Sequence, residues 1–130
     1  MQLSRRATEL FIAGDRDAAW ALWSEDCVGV PPADWPEPGP FRGRDQNREV
    51  FNSWNVAFGP DWTSHLAVRG TSDLGDGRIL VEFEFEASGA ESGLPIDQEL
   101  AVIHTISGGE IVKGDYFMDW ADARRAAGLE

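Results

Sequence analysis

The sequence predicts an α+β fold, with helices packed in the concave face of a curved antiparallel sheet, and three features of the chain carry that prediction. Apolar residues recur at helical spacing as far as Phe58. After Gly59-Pro60 the period changes to two, the signature of a sheet with one buried face. Glycine-containing turns then separate the period-two segments.

The elements follow in order. Leu3, Ala7, Leu10 and Phe11 make the first helical stripe, and Gly14 stops it. Asp15 caps a second helix with Asp17 in its first turn, an apolar face of Ala19, Leu22 and Trp23, and an end near Ser24-Glu25-Asp26. Pro31 to Pro40 is too proline-rich for a helix and reads as an ordered loop. A third helix runs from about Asp45 to Phe58 on the stripe of Val50, Phe51, Trp54, Ala57 and Phe58.

Strands are predicted over about Trp62 to Thr71, then over the alternating Ile79, Val81, Phe83 and Phe85. Two more follow, from about Ile96 to Ile106 and from about Glu110 to Met118, joined by a two-residue Gly108-Gly109 hairpin. Asp119 caps a last helix through Ala126, and Gly128 ends it. With no internal repeat, low-complexity tract or linker, residues 1–130 read as one domain.

Composition narrows the function. The 130 residues carry 23 acidic and 11 basic side chains, a formal net charge of -12, which repels phosphate backbones and anionic headgroups. No nucleic-acid or membrane partner is therefore expected, and no apolar run reaches the length of a membrane span. Thr8, Glu9 and Gly14-Asp15 interrupt any signal-like apolar run after Arg5-Arg6, so this segment reads as an amphipathic helix of a cytoplasmic protein. Cys27, the sole cysteine, has no partner for an intrachain disulfide and reads as a buried structural thiol. Two histidines and one cysteine without clustered spacing predict no metal site, and nothing in the chain calls for a cofactor.

Certain words at fixed places carry a resemblance. They are Phe11-Ile12-Ala13-Gly14-Asp15, Trp35-Pro36-Glu37-Pro38 leading into Phe41-Arg42-Gly43-Arg44-Asp45, Gly108-Gly109-Glu110-Ile111, Tyr116-Phe117-Met118-Asp119 and Ala126-Ala127-Gly128-Leu129. In this order the chain resembles the SnoaL-like branch of the nuclear transport factor 2-like superfamily. The resemblance implies a cone, in which the sheet curls around the helices and leaves an apolar pocket at one end. It also implies a homodimer, and relatives that include polyketide cyclases, ketosteroid isomerases, epoxide hydrolases and non-catalytic binding proteins. One fold with several chemistries leaves function to be argued from the site.

The steroid isomerase version of that site is absent. On the alignment the resemblance implies, its helix-one tyrosine falls at Ala7, its base at about Pro31 and its second donor near Ala101. The epoxide hydrolase arrangement of two aspartates and an arginine is also incomplete. Asp97 and Glu99 share a strand face, but that strand holds no arginine.

If Ser107 pairs with Glu110, strict alternation places Asp97, Glu99, Ala101, Ile103 and Thr105 on one face with Val112, Gly114, Tyr116, Met118 and Trp120. Leu100, Val102, His104 and Ile106 share the other with Ile111, Lys113, Asp115 and Phe117. By similarity to the isomerase sheet, the Tyr116 face points inward. An apolar pocket raises a carboxyl's pKa toward the range useful for proton transfer. Glu99 is then the candidate acid/base and Tyr116 the hydroxyl donor, against a plain reading as rim carboxylate and core tyrosine.

The rival set is His104 and Asp115 with Lys113, whose plain reading is a salt-bridged patch on the outer sheet, in a dimer interface with Leu100, Val102 and Phe117. Candidate pocket residues are Trp35, Trp54, Phe83, Phe85, Ile103, Met118 and Trp120. Arg42 and Arg44 read as salt-bridge partners of the acidic surface, and His65 as facing solvent or an interface. The leading expectation is acid/base chemistry of the isomerase, cyclase or hydrolase kind on a small apolar molecule. Its alternatives are a non-catalytic binder of a hydrophobic metabolite, and a dimeric interaction domain whose pocket is plugged by its own side chains.

Overall fold

The computed structural model describes residues 2–32, 39–58, 66–85 and 98–129. The elements are α1 (Gln2–Ile12), α2 (Arg16–Trp20), β1 (Trp23–Val30), β2 (Phe41–Arg42), α3 (Arg44–Phe58), β3 (Leu66–Asp73), β4 (Arg78–Phe85), β5 (Gln98–Ser107), β6 (Glu110–Phe117) and α4 (Trp120–Ala127). Six strands form one curved sheet in the order β2-β1-β6-β5-β4-β3.

Two strands stand where none was expected, β1 over the end of the second helix and the stretch after it, and β2 between the proline-rich loop and the third helix. The second helix stops at Trp20 and the chain becomes β1, which pairs antiparallel with β2 and parallel with β6. The sheet is therefore mixed. The segment has no clean alternation to betray it, because its register shifts between Trp23 and Val28. Pairing with β6, more than eighty positions away, overrides local preference. The predicted starts of the strands at Trp62 and Ile96 lie outside the described residues.

The later elements follow their chemistry closely. Gly108 and Gly109, at φ 60° and 79°, make the left-handed two-residue turn between β5 and β6. Asp119 caps α4 by accepting the Asp122 N–H at 2.7 Å, and Gly128 closes it at φ 76°.

Each face of the sheet carries a buried cluster. On one side α1, α2 and α3 cover it through Ala7, Trp20, Trp23, Cys27 and Ile111, with Phe11, Phe51 and Tyr116 packed against them. Rings meet here at centroid distances of 5.2 to 5.5 Å, from Phe11 through Trp20 and Phe51 to Tyr116. Ile79, Val81 and Val102 continue this inner surface. On the outer side α4 seats Ala123 against Leu80, Ala101 and Ile103, flanked by Phe117 and Trp120.

One residue decides which side chains share a face. Thr105 pairs with Lys113, yet Ile106 pairs with Ile111, so Val112 is an extra residue in β6, a β-bulge. Ser107 does pair with Glu110 as expected. Beyond the bulge the alternation inverts, and Tyr116 lies opposite Val102 while Asp115 lies opposite Ile103.

Candidate functional site

The helix-covered face of β5 and β6 brings together His104 and Tyr116. His104 is directly opposite Gly114, and a Cβ on Gly114 would sit 3.1 Å from the Tyr116 hydroxyl and 2.7 Å from Cη2 of Trp23. The tyrosine thus folds back over the one position of β6 that has no side chain. Trp23 stands edge-on to the imidazole, with centroids 5.3 Å apart and planes at 86°.

Helix α1 supplies the polar partner. Its buried face carries Ser4, Ala7 and Thr8, and the Ser4 hydroxyl oxygen is 2.5 Å from His104 Nδ1. Thr8 donates its hydroxyl back to the Ser4 carbonyl at 2.9 Å, which ties the two helical hydroxyls into one turn. Burial pushes the imidazole down to about 4, so His104 is neutral at physiological pH. Burial also pushes the Tyr116 hydroxyl well above the ordinary phenol range, with Cys27 and Asp115 adding to the shift. The Cys27 thiol is raised by burial too, against the pull of Arg44. The inner face therefore carries neutral hydrogen-bonding groups.

Asn47 fixes α3 to this region. Its Nδ2 donates to the carbonyls of Gly43 at 2.8 Å and Phe41 at 3.2 Å, beside the Cys27 sulfur at 3.8 Å. Its Oδ1 lies over Gly29, where a Cβ would come within 2.1 Å. Among the described residues, Asn47 Oδ1, Trp23 Nε1 and Ser24 Oγ are buried polar atoms without a hydrogen-bond partner.

Several candidate residues are not where strict alternation put them. Glu99 is exposed on the outer side, faces Glu84 across the ladder, and accepts the Trp120 backbone N–H at 3.1 Å. It and Tyr116 are separated by the sheet, because the Val112 bulge inverts β6. The rival set is divided for the same reason. His104 faces the helices, while Lys113 and Asp115 form a 3.7 Å ion pair on the outer side. The expected outer strip is divided too, since Val102 is buried on the inner face and Phe117 packs in the α4 cluster.

The pocket residues divide similarly. Phe83 packs with the inner cluster, and buried Phe85 shares its side of β4. Ile103 and Trp120 belong to the α4 side, where Trp120 Nε1 donates to the carbonyls of Phe83 and Leu100 at 2.9 and 3.1 Å. Met118 is half-buried just past β6. Trp54 is in α3, but its side chain, like Trp35, His65 and Asp97, lies outside the described residues. Arg44 donates to the Trp23 carbonyl at 2.9 Å, a structural use of its charge.

Ser4, Trp23 and Gly114 are the site residues that sequence reasoning passed over. A glycine inside a strand was the available signal, since it marks close approach of another group. No group of three His, Cys, Asp or Glu among the described residues is placed to hold a metal ion. No helix among them is long and apolar enough to cross a membrane.

Solved structures share this architecture. Bal32a, from a soil-derived mobile gene cassette, is similar at a TM-score of 0.72 and 18% identity, over 89% of this chain and 86% of its own. A protein of unknown function with the nuclear transport factor 2-like fold, from Burkholderia pseudomallei, matches at 0.72 and 18%, over 96% and 94%. A protein assigned as a SnoaL-like polyketide cyclase, from Jannaschia, matches at 0.69 and 15%, over 99% and 93%. At these identities the likeness shows the fold, an α+β cone. No curated protein matches the chain. The family model described as the SnoaL-like domain matches residues 4–114, and this, with the cone, places the chain in the SnoaL-like family.

Proposed function

We propose that the chain holds a small apolar molecule between its helices and the inner face of the sheet. One observation carries this reading: Glu82, the buried carboxylate among the described residues, is on the α4 side, while the inner face offers aromatic and aliphatic surface with neutral polar groups. An apolar surface with a few convergent neutral donors suits a hydrophobic metabolite bearing a carbonyl or hydroxyl. Relatives assigned as polyketide cyclases agree with a ligand of this kind. Titration with small cyclic ketones, followed by tryptophan fluorescence and thermal shift, tests it. Saturable binding that raises the melting temperature is expected, and no shift with any apolar ligand would overturn it.

A second reading, acid/base chemistry, is favoured by the meeting of His104 and Tyr116 over Gly114. A neutral imidazole held by Ser4 accepts a proton, and a neutral phenol donates a hydrogen bond to developing negative charge on a ligand oxygen. Glu99 has no part in that arrangement from its outer position. Exchange of deuterium from solvent into a bound ketone, abolished in His104→Gln with binding retained, would distinguish catalysis from binding.

A further inference from the structure

We infer that Ser4 fixes the ring proton of His104 on Nε2, so that the imidazole and the Tyr116 hydroxyl form a pair of donors selecting a ligand oxygen that only accepts, a ketone rather than an alcohol. The inference rests on the reading of the inner face as a site for a small apolar molecule. Within that site it makes His104 a donor and not a base.

Ser4 and Thr8 share the buried face of α1 but use their hydroxyls differently. Thr8 donates back to a carbonyl of its own helix, that of Ser4, at 2.9 Å. Ser4, which has no exposed surface, turns its Oγ to the sheet and lies 2.5 Å from His104 Nδ1. Two arrangements fit that contact. Either Ser4 donates to the lone pair of Nδ1 and the ring proton is on Nε2, or Nδ1–H donates to Ser4 and the hydroxyl hydrogen points elsewhere.

The second arrangement leaves a donor unpaired where water does not reach, because Nδ1 is the partner the fold gives the Ser4 hydroxyl among the described residues. The first uses that hydrogen and leaves Nε2–H, which the geometry of the ring directs away from Ser4. Burial pushes the imidazole down to about 4, so at neutral pH it carries one proton and donates from one nitrogen.

Tyr116 supplies the second donor. Its hydroxyl lies over Gly114, 3.1 Å from where a Cβ would sit, and Gly114 is directly opposite His104. Burial keeps that hydroxyl protonated. A ketone oxygen has two lone pairs and accepts from both groups. An alcohol in the same place brings a hydrogen of its own into aromatic and aliphatic surroundings, with both neighbouring groups already donating. The opposite tautomer offers one donor and one acceptor, and prefers the alcohol.

Long-range proton–nitrogen correlation spectra of nitrogen-15-labelled protein at neutral pH show which ring nitrogen carries the proton. The chain has two histidines, and His65→Gln assigns their signals. A proton on Nε2 is expected, and one on Nδ1 overturns the inference whatever the protein binds. Fluorescence titration should show cyclohexanone bound about tenfold more tightly than cyclohexanol. Equal affinities, or a preference for the alcohol, overturn it too. In Ser4→Ala the proton is free to occupy either nitrogen, and the preference should shrink to about threefold or less. A purely structural serine would lower stability but leave spectrum and preference unchanged, and that result also overturns the inference. Should the variant not fold, the spectrum and the two affinities of the unaltered chain still decide. Failure of both ligands to bind, with the proton found on Nε2, overturns the inner-site reading and with it the selection drawn here.

Discussion

Ser4 in the first helix and His104 in the middle of β5, a hundred positions apart, meet in a buried hydrogen bond of 2.5 Å. This contact joins the helical layer to the sheet at the point where Tyr116 and Trp23 also converge. It makes the imidazole both a structural group and the polar centre of the inner face.

Acid should therefore destabilise the fold through His104. In the unfolded chain its pKa is 6.5, and in the native state it is about 4, so the unfolded state binds more protons between these values. Stability is full above pH 6.5 and falls as pH drops toward 4. The contribution lost is on the order of 3 kcal/mol, taken from the width of that interval. Asp115, raised by burial, works in the opposite sense and offsets part of the loss. Urea unfolding at pH 7 and pH 5 should show the decline, and His104→Leu should flatten it.

Removing the hydroxyl alone should be felt nearly as much. Ser4→Ala leaves Nδ1 of a buried imidazole without its partner, which costs about 1–3 kcal/mol. Denaturant midpoints for the unaltered chain and the variant measure it. A change below a few tenths of a kcal/mol would mean that water replaces the serine.

Gly114→Ala should be more disruptive than its single methyl suggests. The new carbon would lie 2.7 Å from Trp23 and 3.1 Å from the Tyr116 hydroxyl, and both neighbours belong to the core. Overpacking of this kind costs about 1–3 kcal/mol. Near-ultraviolet circular dichroism should show altered tryptophan signals along with a lower melting temperature.

Glu82 and Arg124 make a different kind of contact. The Arg124 Nε donates to Oε2 of a carboxylate that keeps only 8% of its exposure, although the arginine itself is 51% exposed. Arg124→Ala should cost about 1–2 kcal/mol, discounted for the solvent around the guanidinium. The double variant with Glu82→Gln should recover part of that, because no buried charge remains unpaired.

Glu99→Gln gives a contrast. On the outer face its carboxylate accepts the first N–H of α4, and amide oxygen can replace it with only a small loss. Ligand affinity in the proposed inner site should be unchanged within about twofold, since the sheet separates the two. Fluorescence titration of the variant measures this directly.

Much of this arrangement was legible from local chemistry. The Gly108-Gly109 turn, the Asp119 cap and the Gly128 stop are short-range signals, and each sits where its residues demand. Tyr116 lies on the helix-covered side that similarity to the isomerase sheet implies, but Ala101, Ile103 and Trp120 of the same expected face lie on the α4 side. What escaped were features set by distant partners. Trp23–Val30 is a strand because β6 lies beside it, and its irregular register hides the period-two pattern. A serine in a helix reads as solvent-facing until a histidine from the far end of the chain is laid against it. Strict alternation through β6 puts Glu99 beside Tyr116, and the unpaired Val112 puts the sheet between them.

That extra residue gives β6 a phase. Upstream and downstream of Val112, odd and even positions have exchanged meanings, and Tyr116 looks inward only because the count has slipped by one. The strand should therefore accept many side chains at Val112, and even its removal should keep the phase, because Ile111 and Lys113 already point to opposite faces. Pairing it, with Val112 set opposite Thr105, is what would turn the tyrosine to the outer side, bring Lys113 and Asp115 toward the helices, and exchange lining for surface along half the strand without altering any residue.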